Sequence, residues 1–293
     1  MKFEFIKAHR SEFSVVTMCR VLSVSESGFY RWRSNPPSLR KEEEQLLKAR
    51  IQDLFTEHKG MAGSPLICAD LHDEELWKSV GVNRVARLMR ELGLRCRAIK
   101  KFVTTTNSNH KEPIAPNLLE RKFTTQKPDQ VWVTDITYIR VAQKWCYLTV
   151  FIDLYSRMIV GWDLSESMER TSVMAAFGKA WWKRRPEAGI MIHSDRGVQY
   201  ASKDFRSQLE TYGAVQSMSR KGNCWDNAVA ESFFHTLKTE YVYHYKFKNI
   251  VEVEQALFWY IEVYYNRRRK HSTNGFLTPM SYEELFWKKE KQA

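Results

Sequence analysis

The sequence predicts an α/β protein in which an all-α region precedes a mixed sheet flanked by helices. Residues 1–100 show helical periodicity and no convincing strand. Residues 131–164 instead contain three segments rich in Val, Ile, Tyr and Trp, separated by polar turns, which favours an antiparallel meander. Helical patterns and two short strands follow, so one late βαβ unit is expected beside the meander.

Each predicted element follows from local apolar spacing and from the polar breaks between segments. The predicted helices cover 12–32 with a polar break in the middle, 41–57, 65–75, 82–92, 170–184, 203–212, 226–245 and 251–267. The predicted strands cover 131–139, 145–153, 157–164, 190–194 and 214–219. We therefore divide the chain into a helix-turn-helix-like helical region at 1–100, a polar linker at 101–129 and an α/β region at 130–293.

Composition narrows the class of protein. The chain has 293 residues, 43% of them hydrophobic, so it is expected to be globular. Its apolar stretches are far shorter than the roughly 20 residues that span a bilayer, and no signal peptide is visible, which predicts a cytoplasmic protein without a membrane partner. The net charge of +12 favours a nucleic-acid partner, although a merely basic soluble protein is the alternative. Five scattered cysteines argue against a disulfide framework and a zinc ribbon.

Three acidic residues stand at positions that suit a shared pocket. Asp135 lies on the otherwise apolar face of a predicted strand, Asp195 ends a short apolar strand, and Glu231 lies within a predicted helix. A buried carboxylate is normally paired or bound to a metal, and strand ends in α/β sheets commonly bind ligands. Two Mg²⁺ ions about 4 Å apart can activate the attacking oxygen and stabilise the leaving oxygen of a phosphoryl transfer. Three carboxylates with water and phosphate suit Mg²⁺.

Two further residues bear on this pocket. Lys238 follows Glu231 by seven residues, which returns it to nearly the same helix face and predicts a cation that holds a phosphate beside the acids. Asp153 competes for the site, but we interpret it as a structural residue that pairs with Arg157.

Several basic and aromatic residues are candidates for DNA contacts. Arg84, Arg87 and Arg90 line one face of a predicted helix, for which a solvated helix surface is the alternative. Before the Glu231 helix, Trp225 could stack on a base and Asn227 could make polar contacts to the DNA end. The alternative is that Asp226 or Asn227 caps the helix. The last group of candidates is a basic run after an aromatic-rich helix. The alternative is that these residues form the solvated end of the helix, which cations favour. The group consists of Arg267, Arg268, Arg269 and His271.

Longer strings around the acids carry a resemblance to a known family. They are Val131-Trp132-Val133-Thr134-Asp135-Ile136-Thr137-Tyr138, Phe151-Ile152-Asp153-Leu154-Tyr155-Ser156-Arg157, His193-Ser194-Asp195-Arg196-Gly197-Val198-Gln199-Tyr200 and Glu231-Ser232-Phe233-Phe234 with Leu237-Lys238-Thr239-Glu240. Residues 131–280 resemble the catalytic half of insertion-sequence transposases of the DDE (retroviral-integrase) superfamily, and specifically the OrfB-type proteins of the insertion-sequence-three family.

The resemblance implies an RNase H-like integrase catalytic core at 130–293, preceded by a helix-turn-helix-like DNA-binding region at 1–100. It also implies that Asp135, Asp195 and Glu231 are metal ligands and that Lys238 is the basic residue behind them. The implied reaction is DNA strand cleavage and strand transfer at inverted-repeat ends, with two Mg²⁺ ions for which Mn²⁺ can substitute. Implied partners are DNA, further copies of the chain in a homo-oligomer, and the upstream-frame OrfA protein. A nuclease without strand transfer and a catalytically silent DNA-binding regulator are the alternatives.

Overall fold

The structure is a computed structural model that describes residues 2–34, 39–97, 112–221 and 224–292. Two small helical units come first. The N-terminal unit consists of α1 (Lys2–Ala8), α2 (Val15–Val21) and α3 (Glu26–Ser34). The second unit consists of α4 (Leu39–Glu57), α5 (Ser64–Leu71) and α6 (Val82–Glu91), with a 3₁₀ turn at Glu75–Trp77. Sequence periodicity predicted all of these except α1 and the 3₁₀ turn.

A five-stranded mixed sheet forms the centre of the rest of the chain. Its strands are β1 (Val131–Val141), β2 (Lys144–Asp153), β3 (Ile159–Ser165), β4 (Met191–Ser194) and β5 (Val215–Met218). Their order is β3-β2-β1-β4-β5; the first three strands pair antiparallel, and β1, β4 and β5 run parallel. The predicted meander and the late βαβ unit are thus both present.

Helices cover both faces of the sheet, because both faces of its strands are apolar. On one face lie α7 (Arg170–Arg184), α8 (Val198–Ala201) and α9 (Lys203–Thr211), packed over a buried cluster around Phe151 and Phe177. On the other face lie α10 (Ala228–Glu240) and α11 (Ile250–Phe258), over a cluster around Val133 and Phe233. A final helix, α12 (Pro279–Glu290), follows a 3₁₀ turn at Ser272–Asn274.

The two helices predicted near the C-terminus are each shorter than expected. α10 ends at Glu240 and a separate 3₁₀ turn follows at Val242–His244. α11 gives way to a π-helical turn at Trp259–Tyr265, in which Tyr260, Tyr264 and Tyr265 are buried. The change of helix type turns these three rings into the core, which a uniform 3.6-residue period does not anticipate.

Part of the predicted linker, from residue 112 onwards, lies within the described residues. Residues 101–111 lie outside the described residues. The remainder packs against the sheet: the backbone N–H groups of Leu118 and Leu119 donate to Ser217 Oγ on β5 at 2.9 and 3.3 Å, and Leu119 is buried. This part of the segment is therefore fixed to the α/β region. Across the described residues, no helix is long and apolar enough to cross a membrane.

Candidate active site

The register of two parallel strands brings Asp135 and Asp195 side by side. On β1 and β4, Val133 is paired with His193, and each aspartate lies two residues beyond its member of that pair. β4 ends at Ser194, so Asp195 opens the following loop, and its Oδ1 accepts a hydrogen bond from Gly197 N at 2.9 Å. Asp135 remains within β1 and accepts one from Ile136 N at 2.8 Å. The two carboxylates therefore meet at one edge of the sheet.

The third carboxylate arrives on a helix that lies against β1. Glu231 is in the first turn of α10, exposed to solvent, whereas Phe233, Phe234 and Leu237 of the same helix are buried. Lys238 lies two turns further on, with Nζ 4.4 Å from the ring centroid of Tyr138 on β1. A cation over an aromatic face is held by the ring quadrupole. The helix thus delivers one acid and one cation along the strand that carries Asp135.

The pKa shifts show that these groups share one electrostatic environment. Burial, then repulsion from Asp195, raises the pKa of Asp135 well above its usual range, and Glu231 adds to the repulsion. Glu231 is exposed on one side, but its partial burial, then repulsion from Asp195, raises its pKa as well. Burial lowers the pKa of Lys238 to about 8, although attraction to Asp135 opposes that change. Acids that repel each other in a poorly solvated site are stabilised by added positive charge.

The donor set fits a hard divalent cation, although the site does not have the form of a closed cage. Within the described parts of the chain, no three His, Cys, Asp or Glu side chains form a ready metal cluster. Three carboxylates at an open edge leave room for water and phosphate oxygens, which Mg²⁺ retains in its coordination sphere. Asp135, Asp195 and Glu231 are the residues that would hold such an ion.

Sequence reasoning missed the polar network beneath the acids. Asn227 Nδ2 donates to Thr134 O at 3.1 Å, and His193 Nε2 lies 3.0 Å from Asp226 O. Burial lowers the pKa of His193 to about 4, so the ring is neutral at physiological pH. The only sequence signal for this network was a histidine inside an apolar strand, a pattern that is equally typical of an ordinary core residue.

Asn227 differs from both of its sequence interpretations. It occupies the N-cap position of α10, but its side chain makes no capping hydrogen bond and is only 4% exposed. Asp226 is 1% exposed, and its carboxylate binds Arg121 and Arg220. Trp225, by contrast, is 69% exposed. Only Trp225 of this group has the accessibility that base stacking requires.

The predicted pairing of Asp153 with Arg157 is wrong. The Asp153 carboxylate is fully buried and accepts hydrogen bonds from Asp129 N, Ser156 N and Ser156 Oγ. The Arg157 guanidinium reaches elsewhere and donates to Phe123 O at 3.0 Å. A tight turn at the end of β2 directs the carboxylate to the backbone, so the structural interpretation of Asp153 stands with different partners.

The candidate DNA-contact arginines fall into two groups. Arg84 pairs with Glu43, and Arg87 pairs with Glu44 and Glu91, so the charge of α6 is largely neutralised by α4. Arg269 is buried against Glu240, which removes it from the surface set. His271 Nε2 contacts Tyr265 Oη at 3.2 Å. The exposed candidates are Arg87, Arg90, Arg267 and Arg268, and Arg87 among them is already paired with two glutamates.

Comparison with known proteins identifies the class. Models of the integrase core domain match residues 125–224 and 212–279, and a model of an HTH-like domain matches residues 41–102. The mixed sheet and the preceding helices are thus those of an integrase-core protein with a helix-turn-helix-like domain.

The family follows from curated relatives. Transposase InsF for insertion sequence IS3A of Escherichia coli (strain K12) is 39% identical over 285 residues, which cover 97% of this chain and 98% of InsF. The insertion element IS600 uncharacterized 31 kDa protein of Shigella sonnei is 42% identical over 269 residues, or 92% of this chain and 98% of that protein. The chain belongs to the IS3 family of insertion-sequence transposases.

Two solved structures are more distant. The HTLV-2 integrase catalytic core domain in complex with magnesium (trimeric form) matches at 16% identity and a TM-score of 0.42, over 54% of this chain and 97% of the integrase chain. A chain of the simian T-cell lymphotropic virus intasome in complex with PP2A regulatory subunit B56 gamma matches at 16% identity and a TM-score of 0.44, over 70% of each chain.

Proposed function

We propose that this chain catalyses metal-dependent DNA strand cleavage and strand transfer at the inverted-repeat ends of its own insertion sequence. The observation that carries the proposal is the parallel register of β1 and β4, which sets Asp135 beside Asp195 opposite the helix with Glu231. Membership of the IS3 transposase family supports the same reaction.

The chain's own residues suit two successive phosphoryl transfers. A bound Mg²⁺ pair would neutralise charge at the scissile phosphate and favour ionisation of the attacking oxygen. The ligands of these ions would be Asp135, Asp195 and Glu231. Lys238 would bind a neighbouring phosphate oxygen. In the first transfer, water attacks the phosphodiester and a 3′-hydroxyl is freed; in the second, this hydroxyl attacks another phosphodiester, whose 3′-oxygen leaves.

DNA would also be bound outside the acid pocket. Arg267 and Arg268 are exposed just beyond the π-helical turn, and Trp225 is exposed beside the Glu231 helix. These side chains suit phosphate contact and base stacking respectively. A homo-oligomer on DNA and a complex with the upstream-frame OrfA protein are further expectations of the proposal.

The test is a reaction with a labelled duplex that ends in the inverted repeat flanking the gene, in Mg²⁺ or Mn²⁺. We expect wild type to yield both a cleaved strand and a longer, joined strand, and Glu231→Gln to yield neither. Hydrolysis without joining would support the nuclease alternative. Equal products from wild type and Glu231→Gln would refute catalysis by these acids, and DNA binding without any product would favour the silent regulator.

A further inference from the structure

The two residues that lead into α10, Asp226 and Asn227, are bonded to both strands that carry the aspartates. Asn227 Nδ2 donates to Thr134 O at 3.1 Å, and Thr134 directly precedes Asp135. Asp226 O accepts from His193 Nε2 at 3.0 Å, and His193 lies two residues before Asp195. Two consecutive residues of one helix start are thus tied to two neighbouring strands, each within two residues of a proposed metal ligand.

The hydrogen bonds around His193 fix which nitrogen carries the proton. Ser217 Oγ accepts two backbone N–H groups, so its own proton is free to be donated to His193 Nδ1 at 2.8 Å. Nδ1 is therefore the acceptor, and Nε2 carries the hydrogen that points at Asp226 O. Ser219 Oγ lies 3.2 Å from Nε2 and directs its own proton to Ser194 O at 3.2 Å. The fully buried ring can thus donate to α10 only in this tautomer.

Asp226 is held on its other side as well. Its carboxylate accepts from Arg220 Nε and Nη2 at 2.9 and 2.8 Å, from Arg121 Nε at 2.7 Å and from Asn117 Nδ2 at 3.0 Å. The residue whose backbone carbonyl receives His193 is consequently held by side chains from two separate parts of the chain, 117–121 and 220. The first turn of α10 has no side-chain cap to replace these bonds.

We propose that His193 and Asn227 are positioning residues, which set the distance of Glu231 from Asp135 and Asp195 through the start of α10. The inference rests on the proposed function. Glu231 follows Asn227 by four residues, about one helical turn, so a tilt at the helix start displaces its carboxylate directly. Partners that orient metal ligands commonly change metal affinity or activity by about 10–100-fold when they are removed.

His193 offers a matched pair of variants. In His193→Gln, the amide nitrogen occupies the place of Nε2 and keeps the donation to Asp226 O. In His193→Asn, the amide oxygen occupies the place of Nδ1 and keeps the contact with Ser217 but loses the link to α10. Both remove a buried ring, so a purely structural role predicts similar consequences for the two. Asn227→Leu, which keeps the branch at Cγ but lacks the donor, tests the second link.

The experiment compares the full-length variants in three measurements. The first is hydrogen exchange of the backbone amides of residues 228–234. The second is Mn²⁺ binding without DNA, detected by the electron paramagnetic resonance signal of the free ion, and the third is the cleavage rate as a function of Mn²⁺ concentration. His193→Asn and Asn227→Leu are expected to exchange faster and to bind Mn²⁺ about 10–100-fold more weakly than His193→Gln. Their cleavage rates are expected to recover at saturating Mn²⁺.

Equal exchange and equal Mn²⁺ affinity in His193→Gln and His193→Asn would overturn the role of His193, and wild-type behaviour of Asn227→Leu would overturn that of Asn227. If His193→Asn does not fold, Asn227→Leu against wild type decides whether the start of α10 positions Glu231. A wild type that neither binds Mn²⁺ nor cleaves would refute the proposed function instead, while the exchange comparison still decides whether these bonds hold the helix.

Discussion

Arg269 and Glu240 form a two-pronged ion pair between the end of α10 and the segment after the π-helical turn. Arg269 Nε and Nη2 lie 2.9 and 2.7 Å from the two Glu240 carboxylate oxygens, and the side chains are 14% and 11% exposed. The pair joins the helix that carries Glu231 to the C-terminal helices. Arg269 belongs to a run of basic residues, yet its side chain forms a buried ion pair inside the protein.

Breaking this pair is expected to cost stability. Arg269→Met leaves a buried carboxylate without its partner and should lower the free energy of unfolding by about 3–5 kcal/mol. Arg268→Ala, next to it and exposed, should change that free energy by less than about 0.5 kcal/mol. Urea denaturation of the two variants measures the difference. Arg269→Met combined with Glu240→Leu should recover much of the loss, and equal stability of the two single variants would contradict the account.

Lys238 is predicted to act on DNA rather than on folding. Lys238→Gln should weaken binding of the duplex and reduce the slope of log affinity against log salt by about 1, because one phosphate contact is lost. Lys144→Gln, an exposed lysine at the start of β2, is the control and should change neither quantity. Filter binding across a salt series gives both values. A Lys238→Gln slope identical to that of wild type would exclude a phosphate contact.

β3 and α7 touch at Gly161, and a side chain there has no room. A Cβ would lie 2.5 Å from Ala176 O and 2.6 Å from Ala180 Cβ. Gly161→Ala is expected to lower the free energy of unfolding by about 1–3 kcal/mol, because the helix must move off the sheet. Gly178→Ala, on the same helix with nothing within 4 Å, should raise it by about 1 kcal/mol. Thermal unfolding compares them, and the same sign of change in both would count against the packing argument.

The buried cluster at the end of β2 predicts a pH dependence of stability. Ser156 Oγ lies 2.9 Å from Asp153 Oδ2 and 2.6 Å from Glu283 Oε1, and one hydroxyl proton cannot serve both. Burial and Glu283, with Asp129 nearby, raise the pKa of Asp153 to about 7, while the Arg184 guanidinium binds Glu283 and Asp129 from the far side.

The native state therefore keeps a proton that the unfolded chain releases near pH 4. Its stabilising effect is complete below pH 4 and is lost as the pH rises towards about 7. The free energy of unfolding should fall over that range, by about 4 kcal/mol at most. Asp153→Asn should remove this slope whatever its absolute stability. An unchanged slope in Asp153→Asn, measured by urea denaturation at several pH values, would place the titrating group elsewhere.

Sequence alone predicted most of the architecture and the proposed acid site. The alternation of apolar and polar residues in β1 to β3 and the apolar stripes of α4, α6 and α7 are local patterns. They predict the secondary structure because each element buries its own apolar face. The strand register that sets Asp135 beside Asp195 could not be predicted from local patterns, because it depends on pairing between distant segments.

The polar partners were the least predictable part. Arg269 and Glu240 are 29 residues apart, and His193 and Asp226 are 33 apart, so no local pattern links them. Spacing on one helix suggested a surface role for Arg84 and Arg87, whose partners Glu43 and Glu44 lie on α4. Whether a charge faces solvent or a partner is decided by tertiary packing, which a single sequence does not display.

The central claim is that Asp135, Asp195 and Glu231 act as one catalytic unit. The most direct measurement is the single-turnover cleavage rate of the labelled inverted-repeat duplex with Asp135→Asn, Asp195→Asn, Glu231→Gln and the double variant Asp135→Asn with Glu231→Gln. Residues that act together give strongly non-additive losses. We expect each single variant to lose nearly all activity and the double variant to be no slower than the singles. A single variant with the wild-type rate, or losses that multiply in the double variant, would contradict the account.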